Sequence, residues 1–220
     1  MTIDPQLLSR VPLFCHMDSS AVPAALHCLH AAEEHYSKGS FIRSAGDAAD
    51  FIGIVLQGAV QILQEDYDGR RSITSAFGPG DMFAEAFSCA GAAELPVSIL
   101  AAADCTVLIL KVDQLLSPEK DACGFHHLLM RNLLQLMAQK NMLLNRKLRH
   151  VSRRTTAEKL LAFLNDYARL QHASEFTIPY DRQALADYLG VERSAMSAEL
   201  SKLQRQGILQ TKGSHFKLIK

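Results

Sequence analysis

Arginine, lysine and serine side chains are concentrated between residues 181 and 212 of this 220-residue chain. Arginine can donate two hydrogen bonds to the edge of a guanine, serine can reach a base or a phosphate, and lysine can pair with a phosphate. This chemistry requires a scaffold that holds the side chains on one surface. The candidates for contact with double-stranded DNA are Arg182, Arg193, Ser194, Ser197, Lys202, Arg205 and Lys212.

The sequence from Asp181 to Leu203 predicts such a scaffold. Asp181 can cap a short helix over 182–189, and Gly190 permits a tight turn into a second helix over about 192–206. This is the helix-turn-helix pattern. A hairpin with its tip at 212–214 follows and predicts a wing. In such a module the second helix enters the major groove by its N-terminal end, where Arg193 lies.

The charge distribution favours a basic C-terminal end. Lys+Arg and Asp+Glu both number 23, so the net charge of zero neither predicts nor excludes a nucleic-acid partner. Residues 145–154 contain five basic residues and no acid, and residues 193–220 contain six basic residues and the single acid Glu199. A neutral protein can therefore present a basic surface to DNA.

The cysteines and histidines predict neither a catalytic nor a metal site. Five cysteines, widely spaced and odd in number, indicate reduced thiols rather than a disulfide framework. No pair has the CxxC spacing of zinc or iron–sulfur ligands, and no Ser/His/Asp arrangement or phosphate loop emerges. We therefore predict that the chain is not an enzyme. The N-terminus lacks signal-peptide features and no apolar run reaches about 18 residues, which predicts a cytoplasmic protein without a membrane partner.

Turn residues and β-branched runs alternate over residues 36–112. Asp68-Gly69 predicts a hairpin and Gly78–Asp81 a tight turn. Short strands separated by turns about every 11 residues indicate an antiparallel sandwich or roll. Residues 1–35 predict short helices, with Ala32 on the apolar side of one of them.

Residues 124–151 predict one long helix, because no glycine or proline follows the first position. A seven-residue apolar repeat is typical of a coiled-coil seam between two copies of the chain. The predicted dimer interface consists of Met130, Leu134, Met137, Leu144, Leu148 and Val151. The residues of a second apolar stripe, which can pack on the roll, are Leu129, Leu133, Leu136 and Leu143. A single buried helix in a monomer is the alternative interpretation.

A capping box at Thr155 and Glu158 predicts a new helix after the long one, with a candidate hinge at 152–155. The chain as a whole is predicted to be α+β. Three parts follow along it: N-terminal helices and a β-roll over 1–123, a dimerisation helix over 124–152, and a winged helix-turn-helix over 153–220.

The chain resembles the CRP/FNR superfamily of bacterial transcription regulators over essentially its full length. The resemblance is carried by Ile54–Gly58, Phe77–Glu85, the long helix and the 181–203 motif, in that order. It implies a cyclic-nucleotide-binding-like β-roll (an antiparallel double-stranded β-helix, or jelly roll), a symmetric homodimer and a roughly palindromic operator. It also implies a small-molecule effector and contact with RNA polymerase.

The sequence departs from the family at the effector site. Cyclic-nucleotide binders carry Gly-Glu and then an arginine that holds the phosphate, whereas this chain has Ala84-Glu85 and then Leu95-Pro96. A buried phosphate without a cation is costly, which disfavours cAMP. The predicted pocket is apolar, and its residues are Phe83, Glu85, Phe87, Cys89, Leu95, Pro96, Val97, Leu143 and Leu144.

The effector itself stays open. Iron–sulfur relatives use closely spaced N-terminal cysteines, and Cys15 with Cys28 does not match them. Haem, sensing nitric oxide or carbon monoxide, is one candidate, because the chain has nine histidines, three of them on the long helix. A small apolar or aromatic ligand is a second, and a redox response through Cys89 or Cys123 is a third.

The expected mechanism is that the effector changes packing along the helix seam and the hinge then sets the spacing of two recognition helices. That spacing must match half-sites roughly 34 Å apart. A ligand-binding module with a degenerate DNA domain is the alternative function. Many relatives have arginine where this chain has Ala198, so their operators do not transfer to it.

Overall fold

The structure is a computed structural model that describes residues 7–8, 11–65, 68, 71–116 and 124–219. It forms two compact units, residues 1–138 and residues 139–220. The boundary falls inside the long helix, and the predicted domain limits at 123 and 152 stay predictions. Gly69 of the predicted hairpin and Cys123 lie outside the described residues.

The first unit consists mainly of short strands. Its elements, in chain order, are α1 (Val22–Cys28), β1 (Ala32–Tyr36), β2 (Phe41–Arg43), β3 (Phe51–Gln57), β4 (Val60–Glu65), β5 (Arg71–Phe77), β6 (Met82–Phe83), α2 (Glu85–Cys89), β7 (Ser98–Ala101), β8 (Cys105–Lys111) and α3 (Val112–Leu116). The long helix α4 (His126–Val151) begins in this unit and ends in the second.

The strands form two four-stranded antiparallel sheets, with orders β1-β8-β3-β6 and β2-β7-β4-β5. This confirms the predicted antiparallel β-roll. The tight turn at 78–81 is also present, since the Gly78 amide donates to Asp81 Oδ2 at 2.9 Å. The helix predicted to include Ala32 is wrong there, because α1 ends at Cys28 and Ala32 begins β1, opposite Ile109 of β8. Pairing with a buried neighbouring strand outweighs the local helix preference.

Gly53 and Phe83 fit together in the core between the two sheets. Phe83 is fully buried, and a Cβ on Gly53 would lie 2.1 Å from its ring. The Phe83 ring centroid is 6.3 Å from that of Phe51, edge to face. The ring therefore occupies the volume that a side chain at position 53 would otherwise fill.

The first half of α4 packs on the outer face of the β1-β8-β3-β6 sheet. Leu129, Leu133 and Leu136 are buried together with Ile52 and Leu110. Buried Asn132 donates to the carbonyls of Leu13 and Cys15, at 2.9 and 2.7 Å. The second apolar stripe thus packs on the roll as predicted for its first three leucines. Leu143 differs, since it belongs to the second unit and is exposed.

The second unit contains three further helices and a small antiparallel sheet. Its elements are α5 (Thr156–Gln171), β9 (Glu175–Thr177), α6 (Arg182–Leu189), α7 (Arg193–Arg205), β10 (Leu209–Lys212) and β11 (His215–Leu218). The sheet order is β10-β11-β9. The predicted capping box is confirmed: the Glu158 amide donates to Thr155 Oγ1, and the Thr155 amide donates to Glu158 Oε2, both at 3.2 Å. Among the described residues, no helix is both long and apolar enough to cross a bilayer.

Candidate DNA-binding site

Local capping fixes the first helix of the motif and the turn that follows it. Asp181 Oδ1 accepts a hydrogen bond from the Ala184 amide at 2.8 Å, which starts α6. Gly190 ends that helix with a φ of 61°, in the left-handed region that glycine adopts without steric cost. Helix α6 has the predicted bounds, and α7 differs from its prediction by one residue at each end.

The outer face of α7 carries the predicted base-contacting residues. Its apolar face, which includes Met196 and Leu200, is buried in the core of the second unit. Arg193, Ser194 and Ser197 lie on the first two turns and are exposed. In the part of the chain that the structure describes, the Arg193 guanidinium makes no side-chain hydrogen bond or ion pair. Its donors are available to an external acceptor.

The predicted phosphate contacts extend this surface along α7 and onto the wing. Lys202 and Arg205 lie in the last turn of α7, and Lys212 lies at the tip of the β10–β11 hairpin. All three are exposed. Lys202 already pairs with Glu199 at 3.1 Å, and this exposed pair is weak enough to be exchanged for a phosphate.

Arg182 is placed differently from the other predicted contacts. Its guanidinium carbon lies 5.2 Å from the Phe216 ring centroid, and Nη2 donates to Thr211 Oγ1 at 2.8 Å. Burial lowers the pKa of this half-buried arginine. Because Thr211 and Phe216 belong to β10 and β11, Arg182 attaches the wing to α6. Its role as a phosphate contact stays a prediction.

The wing also carries an acid that sequence reasoning missed. Glu175 of β9 accepts from Lys217 at 2.9 Å and from His215 at 3.1 Å, both on the neighbouring strand β11. These hydrogen bonds, from Lys217 first and then from His215, lower the pKa of the Glu175 carboxyl. The partners are 40 and 42 residues from Glu175 in sequence, so only the β9–β11 pairing reveals them.

Comparison with known families agrees with both halves of this architecture. Residues 157–220 match the Crp-like helix-turn-helix domain, and residues 33–117 match the cyclic nucleotide-binding domain. The chain belongs to the CRP/FNR superfamily. It is therefore a DNA-binding transcription regulator of the CRP/FNR type.

The relatives of this CRP/FNR chain are themselves regulators. The nitrogen fixation regulation protein FixK of Azorhizobium caulinodans is 28% identical over 213 residues, 92% of this chain and 81% of the relative. The transcriptional activator protein FnrL of Cereibacter sphaeroides is 24% identical over 196 residues, 84% of this chain and 75% of the relative. The solved structure of the c-di-GMP-responsive regulator CLP of Xanthomonas campestris shares the fold, with a TM-score of 0.55 and 19% identity over 92% of this chain and all of CLP.

The residues predicted to form the CRP/FNR effector pocket do not all lie together. Phe83 and Leu95 are buried between the sheets, with Phe87 packed against the same core. Cys89 packs instead against the core under α4. Three residues complete the first-unit set. Glu85 is buried at the start of α2, Pro96 is exposed and Val97 is half-buried, the last two directly after Leu95.

Leu143 and Leu144, also predicted for the pocket, belong to the second unit. Both are exposed, at 60% and 68%, and both line a groove of that unit. Ala84, which stands where cyclic-nucleotide binders have glycine, adopts a φ of 65°. The backbone there keeps the left-handed conformation that the family's glycine would adopt without strain.

The two described cysteines near the predicted pocket, Cys89 and Cys105, lose their thiol protons less readily than a free cysteine does. Burial first, and then the charge of Glu85, raises the pKa of the Cys89 thiol. Burial first, and then Asp104, raises the pKa of the Cys105 thiol. Because the thiolate is the reactive species, these environments slow oxidation.

A buried histidine network in the second unit was missed by sequence reasoning. His150, in the last turn of α4, is 2% exposed. Its Nε2 lies 3.0 Å from Asp166 Oδ2, and its Nδ1 lies 3.0 Å from the Tyr188 hydroxyl. An ionised carboxylate only accepts, so Nε2 donates to Asp166, and Nδ1 forms a second hydrogen bond with the tyrosine hydroxyl. The network joins α4, α5 and α6.

Proposed function

We propose that this chain is a homodimeric transcription regulator whose α7 helices bind two half-sites of a roughly palindromic operator. Arg193, Ser194 and Ser197 contact base edges in the major groove. The remaining cations of the predicted set contact phosphates: Arg182, Lys202, Arg205 and Lys212. The protein acts in the cytoplasm with RNA polymerase, and a small effector bound by the β-roll controls DNA affinity.

The observation that carries the proposal is the exposed N-terminal face of α7. Arg193 stands at the first position of that helix, where a recognition helix contacts bases. Met196, Leu200 and Leu203 anchor the opposite face in the core, so the orientation of Arg193 is fixed by packing. Its five donors have no partner among the described residues, which suits bidentate contact with guanine.

The test is DNA binding by the full-length chain to a duplex selected from a random pool, at fixed salt. Arg193→Ala should cost about 1–3 kcal/mol and relax base preference at one position. Lys212→Ala should weaken all duplexes about equally and reduce the salt dependence by about one counterion. Arg169→Ala is the matched control, since Arg169 is an exposed arginine on α5 outside the proposed set.

Selection that enriches no duplex over competitor would favour the alternative, a ligand-binding module with a degenerate DNA domain. If Arg193→Ala leaves the base preference unchanged, the assignment of Arg193 as a base-contacting residue is contradicted. Loss of affinity in Arg169→Ala equal to that in Arg193→Ala would show a general charge effect instead.

Homodimerisation is supported by the apolar seam of α4. Leu134, Leu144 and Leu148 are 71%, 68% and 60% exposed. They recur with Met130, Met137 and Val151 at three- and four-residue spacing, which places them along one side of the helix. A twin helix would remove these leucines from water.

The proposed effector is not a cyclic nucleotide. Leu95, at the position of the family's phosphate-holding arginine, is 1% exposed, and Phe83 fills the space beneath Gly53. Isothermal titration of the full chain with cAMP should give no heat of specific binding, and micromolar binding would contradict the proposal. The visible spectrum after incubation with haemin separates the remaining classes, because a Soret band identifies haem and its absence redirects the search to organic ligands.

A further inference from the structure

The second unit contains an aromatic groove that neither the DNA-binding surface nor the β-roll uses. Its volume is about 340 Å³, within the range of about 300–1,000 Å³ of small-molecule sites. Its walls come from α4, α5, α6 and the segment before α6. Its lining includes three tyrosines and two cations, Tyr167, Tyr180, Tyr188, Arg146 and Lys147.

Four aromatic rings make the groove suited to a flat ligand. Phe163 lies at the centre of the set, with ring centroids 5.9 Å from Tyr167, 6.0 Å from Tyr180 and 5.3 Å from Tyr188. Phe163 is 4% exposed, so the half-buried rings of Tyr167, Tyr180 and Tyr188 offer the faces and edges on which another aromatic ring can stack. Leu170, 51% exposed, adds an apolar edge.

The buried polar groups of the groove are already satisfied. His150 is held by Asp166 and Tyr188, and Asp166 also lies 3.5 Å from Arg149. The carboxylate is thereby neutralised within the protein. A ligand in the groove need not supply a cation for it.

Two cations of the groove have no such partner. Lys147 Nζ lies 5.5 Å from the Tyr188 ring centroid, and half-buried Arg146 lies one position earlier on α4. Within the described residues, neither side chain has a carboxylate within ion-pair distance. Two cations beside an aromatic wall complement an anion that carries an aromatic ring.

The groove lies beside the proposed dimer seam, and Leu144 borders both. Leu143, Arg146, Lys147 and His150 are spaced i, i+3, i+4 and i+7, so they share one face of α4. Leu148 lies about 140° around the helix from Leu143, because it is five residues later at about 100° per residue. A twin helix centred on Leu148 therefore leaves the face with Leu143 open to a ligand.

We propose that this groove binds a small aromatic carboxylate, stacked on the tyrosine rings with its carboxylate held by Lys147 and Arg146. The groove lies within the second unit, whereas the effector proposed above is bound by the β-roll of the first unit. Its occupancy is independent of whether the chain reads DNA as proposed above.

The protein offers a direct optical readout. The chain has no tryptophan and five tyrosines, three of which line the groove. Energy transfer from tyrosine to 2-naphthoate therefore reports binding to the full-length chain. We expect 2-naphthoate to bind about fivefold more tightly than uncharged 2-naphthamide, as one partly exposed ion pair allows.

Two pairs of variants test the site. Lys147→Met should remove the preference for naphthoate and leave naphthamide affinity unchanged, whereas Arg153→Met, at an exposed position outside the groove, should change neither. Leu170→Ser should weaken both compounds about threefold by removing apolar contact. Ile219→Ser is the control, since Ile219 is 49% exposed and lies outside the groove.

Binding of neither compound, or equal binding of both with no effect of Lys147→Met, would overturn the proposal. If a second copy of the chain occupies the groove instead, Leu170→Ser will shift the monomer–dimer equilibrium without changing naphthoate binding, which also overturns it. Failure to select any DNA duplex would contradict the proposed function and leave these binding results untouched.

Discussion

His150 shows how one buried side chain is held by groups distant in sequence. Its ring nitrogens are saturated by Asp166 and Tyr188, and its ring packs edge to face on Phe163 at 5.6 Å. Asp166 pays a desolvation cost that raises its pKa, but the hydrogen bonds from His150 and Arg149 outweigh it and lower the pKa of Asp166 overall. The ionised carboxylate is therefore the form that stabilises the folded second unit.

The wild-type chain should therefore lose part of its stability in acid, and Asp166→Asn should remove this pH dependence. Stabilisation by the ionised carboxylate is present above the unfolded pKa of about 4 and is lost as pH falls through the lower folded value. At pH 7 the variant should be about 1 kcal/mol less stable, since it loses a charged hydrogen-bond acceptor. The difference should close as pH falls below about 4 and through the lower folded pKa of Asp166. Urea unfolding followed by tyrosine fluorescence measures it.

The matched control is Asp187→Asn, because Asp187 is exposed and, among the described residues, its side chain accepts from Gln183 at 2.8 Å. It should shift the unfolding midpoint little at any pH. A wild-type-to-Asp166→Asn difference that stays constant from pH 7 to pH 2 would show that the carboxylate charge does not contribute.

At the scale of elements, strand β3 depends on the absence of a side chain at Gly53. The strand lies between β8 and β6, and the Phe83 ring of β6 fills the position of the missing Cβ. Gly53→Ala should destabilise the first unit by about 1–3 kcal/mol or more, because a fully buried ring must move. Thermal unfolding followed by circular dichroism measures the change.

Gly78→Ala is the control for that substitution. The nearest atom to a Cβ on Gly78 is Asp81 Oδ2, at 4.0 Å, and no positive φ constrains the position. Its stability should stay within about 0.5 kcal/mol of wild type. Equal destabilisation by both substitutions would mean that contact with Phe83 does not determine the loss.

Elements with strong local determinants were predictable from the sequence, and the others were not. Helix α6 was predicted with the correct bounds because Asp181 and Gly190 mark its two ends. Strand β1 was missed because its residues, AEEHY, are mostly polar and become a strand only by pairing with β8.

The aromatic groove was missed for a related reason. Its walls come from segments up to 45 residues apart, from Leu143 to Tyr188, and no local pattern joins them.

At the scale of the whole molecule, α4 carries two sets of apolar residues that need different partners. Its first turns bury Leu129, Leu133 and Leu136 on the roll, so those leucines are satisfied within one chain. Leu134 and Leu148 are 71% and 60% exposed on the seam. Exposed apolar residues that recur at heptad spacing are stabilised by a second helix, and reading two half-sites requires two α7 helices.

Leu134→Asp and Leu148→Asp should therefore each raise the dimer dissociation constant by about tenfold or more, the cost of losing a buried leucine from the seam. Sedimentation velocity at micromolar concentration measures it. Ile73→Asp is the control, since Ile73 is 60% exposed on β5 and lies outside the seam. The seam variants should also lose the affinity gained from two half-sites, while a single half-site is bound as before. A wild-type chain that sediments as a monomer would show that there is no dimer contact. Equal dissociation by Ile73→Asp would place the contact outside the seam. In either case the two α7 helices would lack the spacing that a palindrome demands.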